Sequence, residues 1–114
     1  TQLAQYAGPA TPSMGWVGYA VSTQGKIHIS DPGTEVGARD EARAECEGAS
    51  LRACNTIAVH PQTNVLAVAC KSGTAQNAFI GGSNVDMGGA EWLAFDKTKK
   101  AGFLAEQCKE VFRK

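Results

Sequence analysis

Cys54-Asn55-Thr56-Ile57-Ala58-Val59-His60-Pro61-Gln62-Thr63-Asn64-Val65-Leu66-Ala67-Val68-Ala69-Cys70 is the stretch whose reading decides the fold. Ile57 and Val59 alternate with small or polar neighbours, the period of a half-buried strand. Leu66 and Val68 alternate with Ala67 and Ala69 in the same way. Val65 interrupts that alternation, so the second arm is expected to be partly covered on both faces. His60 to Asn64 separates the arms. Pro61 fixes φ and Asn64 tolerates left-handed backbone, which together predict a turn. The stretch therefore reads as a β-hairpin with a cysteine at each end, in the middle of one sheet.

Working outward toward the N-terminus, Trp16 to Val21 and Lys26 to Ser30 read as two strands. Ser22 to Gly25 between them is a hairpin turn in which Gly25 supplies positive φ. Asp31-Pro32-Gly33 stops the second strand. Thr34 is an N-cap and Glu35 suits the first turn of a helix running to about Glu47, with Gly48 ending it. Ala38, Ala42 and Cys46 form a stripe of small side chains that lets this helix lie close to a sheet, while Arg39, Glu41, Arg43 and Glu45 face water. Residues 1–15 are rich in Ala, Gly, Pro and Ser and read as an extended arm offering Leu3, Tyr6 and Met14.

Toward the C-terminus, Ala75 to Ile80 and Glu91 to Phe95 read as strands. The loop between them, Gly81 to Gly89, holds four glycines in nine residues. Asp96 or Thr98 would cap a last helix in which Ala101, Leu104, Ala105, Cys108, Val111 and Phe112 form one apolar face. An echo between residues 19–27 and 57–65 suggests a twofold repeat of strands followed by a helix. The expected order is ββα then ββββα: an α+β domain over residues 16–114, with two helices on one face of an antiparallel sheet.

A chain of 114 residues supports one modest core. Eleven basic and eleven acidic residues leave no basic excess for nucleic acid. No apolar run is long enough to span a bilayer. Thr1 reads as an internal or processed start, consistent with an export signal removed. Four cysteines, separated by seven, fifteen and thirty-seven residues, lack the short paired spacing of a zinc site and read as two disulfides formed in an oxidising space. Cys46 ends the first helix and Cys54 opens the next strand. Cys70 ends a strand, and Cys108 lies on the sheet-facing side of the last helix. The expected pairs are Cys46–Cys54 and Cys70–Cys108.

The Gly18-Tyr19-Ala20-Val21 hairpin, the Ala-rich helix ending in Cys46, the Cys54 strand and the Ala69-Cys70 strand end together resemble a bacterial exported family catalogued as domain of unknown function 4189. The resemblance covers roughly Trp16 to Cys108. Here Glu47 to Ala53 is a longer loop than the family usually has, and the Gly-rich loop and Trp92 depart from its pattern. The resemblance implies export, to periplasm or medium, and disulfides. It brings no catalytic residues.

His28 and His60 are the only histidines. His28 alternates with Ile27 and Ile29, and His60 sits beside the turn. A metal pair would need a third ligand such as Asp31 or Glu35, and two ordinary strand histidines are the expectation. No nucleophile-elbow, zincin or phosphate-loop motif is present, and cysteines joined as disulfides offer no thiolate. Neither cofactor nor metal is expected, and no enzymatic chemistry. Trp16 and Trp92 read as core, with interface anchors as the alternative. Loops concentrate binding residues, and a long Gly-rich one in a small domain needs a reason. Ser83, Asn84, Asp86 and Met87 are therefore the candidate partner-binding residues. These traits point to an inhibitor or immunity-type protein blocking an exported enzyme or toxin. The alternative is a cell-envelope ligand or glycan binder that uses Trp16 or Trp92.

Overall fold

The computed structural model describes residues 15–114, so the arm expected over 1–15 lies outside the described residues except for Gly15. The elements are β1 (Val17–Val21), β2 (Ile27–Ser30), α1 (Glu35–Ser50), β3 (Asn55–Val59), β4 (Asn64–Ser72), β5 (Ala75–Ser83), α2 (Met87–Lys100) and, after a 3₁₀ turn at Ala105–Gln107, β6 (Cys108–Arg113). The strands form two antiparallel three-stranded sheets, ordered β2-β1-β3 and β5-β4-β6. The fold is α+β with two disulfides, Cys46–Cys54 and Cys70–Cys108. The sheet expected as one is two, and each carries one helix.

The division follows from side-chain alternation. In β1, Val17, Tyr19 and Val21 point at the other sheet, where they meet Val65, Ala67, Ala78 and Ile80. Ala20 points the opposite way and packs with Ala42 and Cys46 of α1. In β4, Leu66 and Val68 turn to Ala90 and Ala94 of α2. The layers therefore run α1, first sheet, second sheet, α2. Four consecutive residues of β4, Val65 to Val68, are at most 1% exposed, as a central strand covered on both faces requires.

Cys54 to Cys70 is thus not a hairpin. β3 pairs with β1, with Tyr19 opposite Ile57. β4 pairs with β5 and β6, with Val68 opposite Phe79. Alternation identifies a strand but not its partner, and both edges of β4 are already occupied. The link His60–Thr63, closed by the Thr63 N–H donating to the His60 carbonyl at 3.0 Å, carries the chain from one sheet to the other. The echo seen between 19–27 and 57–65 joins strands that pair with each other. The actual repeat is β1β2α1β3 followed by β4β5α2β6, each half placing its first strand centrally.

Thr34 caps α1 as expected, its hydroxyl oxygen accepting from the Gly37 N–H at 3.1 Å. The helix continues past Gly48 and ends at Leu51, which adopts the left-handed conformation at φ 60°. The small-residue stripe permits close contact. A Cβ at Gly18 would lie 2.0 Å from the Ala38 carbonyl oxygen, and one at Gly81 would lie 2.6 Å from the Ala90 oxygen and the Ala94 nitrogen.

The C-terminal third departs most from expectation. Residues 91–95 are the middle of α2, and the helix expected after Thr98 is the 3₁₀ turn followed by β6. Asp86 is the cap that sets α2, and Ala90, Ala94 and Thr98 at four-residue spacing form its buried line. The misleading signal came from β6. An irregularity between Ala67 and Val68 places Phe112 and Glu110 opposite successive β4 residues. As at a β-bulge, this turns neighbours Val111 and Phe112 to the same core, which imitates helical spacing. The Cys70–Cys108 pair forms all the same, because the two residues are direct cross-strand partners.

Candidate functional site

The loop expected over Gly81 to Gly89 is a tight corner. Gly81 to Ser83 belong to β5 and Met87 to Gly89 to α2, leaving Asn84, Val85 and Asp86 between them. Both ends are anchored. The Ser83 hydroxyl oxygen accepts from the Val85 N–H at 3.2 Å, and the Asp86 carboxylate accepts from the Gly89 N–H at 2.8 Å. Of the four expected contact residues, Asp86 holds the helix end and Met87 packs against the core under α2. Ser83 is half-buried and Asn84 exposed.

The corner presents residues that pattern reading passed over. Val85 is 83% exposed and Trp92 67%. Trp92 is outside the core because the buried line of α2 runs through Ala90 and Ala94, leaving residue 92 turned away. Had 91–95 been read as helix, the position of Trp92 would have followed.

Beside the corner lies a groove of about 380 Å³. Trp16, half-buried, makes one side, its ring tilted 33° on the His60 imidazole with centroids 4.2 Å apart. Thr63 comes from the inter-sheet link, Gly82 and Ser83 from the end of β5, Asn84 from the corner, and Leu93 from α2. Trp16 and His60 from the first half thus meet Ser83 and Asn84 from the second. A Cβ at Gly82 would press on Val59, Ile57 and Thr63 at 3.1–3.4 Å, so glycine there lets the end of β5 lie close to β3.

His28 lies on β2, opposite Ala20 of β1. Its Nε2 is buried without a hydrogen-bond partner among the described residues. Among the described residues no three metal-ligating side chains cluster, and no helix is long and apolar enough to cross a membrane. A second cleft of about 480 Å³ lies over the Cys70–Cys108 disulfide, lined by Gln24, Lys71, Gln76, Glu106 and Lys109. Its walls are long polar side chains, which lose rotamer freedom on ordering around a ligand. Compared with protein-family models, curated proteins and solved structures, the chain matches none.

Proposed function

We propose that this is a small exported binding module without chemistry of its own, an inhibitor or immunity-type protein that blocks a periplasmic enzyme or toxin through the corner between β5 and α2. The observation that carries the reading is the exposure of Val85 within an anchored turn and of Trp92 on the helix that follows it. Tryptophan is the residue type most enriched at interface hot spots, and a pre-ordered turn loses little entropy on docking. Trp92 lies in the second turn of α2, whose first residue, Met87, follows Val85 by two positions, so one partner surface can cover both. Asn84 adds an exposed amide at the rim. Export is supported by the two disulfides, which persist in oxidising compartments.

The test is capture of a partner from envelope extract on the immobilised protein. A specific partner should lose at least about 2 kcal/mol of affinity, roughly thirtyfold, on Trp92→Ala. Val36→Ala, an exposed apolar change on α1, should leave capture intact. Equal capture by the Trp92 and Val36 variants would refute this surface.

A further inference from the structure

The Trp16–His60 groove has a chemistry distinct from the corner, and we infer that it is a binding site for an uncharged pyranose unit of a glycan. This goes beyond the protein-partner reading and does not depend on it. Three features select the ligand class. First, among the described residues the groove is lined without any Asp, Glu, Lys or Arg, and its one titratable side chain, His60, is stacked on Trp16, so a phosphate, a carboxylate or a cation would find no fixed counter-charge there. Second, Thr63, Ser83 and Asn84 bring two hydroxyls and an amide to the lining of the groove, and a purely apolar ligand would cover them without supplying hydrogen bonds. Third, the Trp16 ring, backed by His60 at 4.2 Å, gives a flat apolar platform, and Leu93 lines the same groove. A pyranose has an apolar C–H face for such a platform and a ring of hydroxyls for such polar lining groups. The volume of about 380 Å³ is at the small end of ligand sites, which suits one or two sugar rings and an open-ended chain.

Ser83, at the end of β5, is held independently of any ligand. The Ser83 oxygen accepts from the Val85 N–H, which leaves the hydroxyl proton free to donate. The platform is held by the inter-sheet link, whose His60 carbonyl is tied to the Thr63 N–H. The site is therefore assembled from both halves before a sugar arrives.

The experiment is a titration of the whole protein with three neutral probes, chitotriose, cellotriose and maltotriose, and with trigalacturonate as acidic control, followed by amide chemical shifts. At least one neutral probe is expected to shift Ser83, Asn84 and Leu93 at concentrations up to roughly 10 mM, with trigalacturonate at least about tenfold weaker. Trp16→Ala should weaken binding about tenfold or more and Asn84→Ala about fivefold, while Trp92→Ala changes it less than about twofold. The Trp92 variant thus separates failure of this site from failure of the protein-binding corner. If Trp16→Ala does not fold, the exposed Asn84→Ala and the shift map decide alone. Absence of binding by all three neutral probes overturns the proposal. So does tighter binding of the acidic probe, or a sugar footprint elsewhere. Capture of a protein that depends on Trp16, with no sugar bound, would instead assign the groove to a protein partner and overturn it as well.

Discussion

At the scale of single residues, two glycines of the same composition class have opposite roles. Gly18 lets α1 approach β1, and a methyl group there would collide with backbone at 2.0 Å. Gly18→Ala should cost at least about 2 kcal/mol in urea unfolding, the range for over-packing against atoms that cannot move. Gly48, inside α1, has nothing within 4 Å of a built Cβ. Gly48→Ala should therefore raise stability by about 0.8–1 kcal/mol, the helix-propensity difference. Equal effects of the two would contradict the close helix–sheet contact. His28 illustrates an unsatisfied polar atom: its buried Nε2 has no partner among the described residues, and His28→Leu should stabilise by roughly 1 kcal/mol, because the desolvation cost goes with the imidazole. At the C-terminus, Arg113 donates to both carboxylate oxygens of Glu110 at 2.8–2.9 Å, and this hydrogen bonding holds the Glu110 pKa below the usual carboxylate range. A depressed carboxylate contributes stability above its unfolded pKa, and that contribution disappears as pH falls through its folded pKa. In Arg113→Ala, the Glu110 midpoint should rise toward the ordinary value in an NMR titration. An unmoved midpoint would show that the pair does not persist in solution.

At the scale of elements, legibility depended on whether the local signal also fixed a partner. α1 was readable because Thr34, Ala38, Ala42 and Cys46 act within one helix, and cap and stripe agree with the structure. Its end was less readable, because the left-handed residue is Leu51 rather than the glycine at 48. β3 and β4 were readable as strands and not as partners, since pairing is a tertiary choice between sheets. α2 was missed because its first turn contains Gly88 and Gly89, poor helix formers that Asp86 and packing on β5 override. Three of the candidate site residues, Ser83, Asn84 and Asp86, were found at the corner. Val85, Trp92 and the Trp16–His60 pairing required the correct placement of α2 and the link. The cap also changes what a substitution at the corner measures. Asp86→Ala should cost about 1 kcal/mol of stability by thermal unfolding. Any binding test that includes it must therefore be read beside Asn84→Ala, which removes no cap. A stability unchanged by Asp86→Ala would mean that another group satisfies the Gly89 N–H.

At the scale of the whole molecule, each half closes its own loop with one disulfide: Cys46–Cys54 in the first and Cys70–Cys108 in the second. The chain-entropy model assigns about 2.5 kcal/mol to the short loop and about 4 to the long one. Paired alanine replacement at 70 and 108 should thus lower stability more than at 46 and 54, and a reversed order in denaturant unfolding would rule out that account. Because neither disulfide crosses between halves, the halves are held together by the inter-sheet core, by the Asn55 amide donating to the Ala78 carbonyl and by the Lys114 ammonium donating to the Tyr19 hydroxyl at 3.2 Å. Covalently, only the backbone through His60 to Thr63 joins them. A connection this short between two halves that share one inter-sheet core is the geometry from which domains exchange: the second half of one molecule can close onto the first half of another and rebuild the same interface at no loss of contacts. Deleting Pro61 and Gln62 should leave too little chain to turn back, so that on size-exclusion chromatography the shortened protein elutes as an interlocked dimer, with both disulfides still intramolecular.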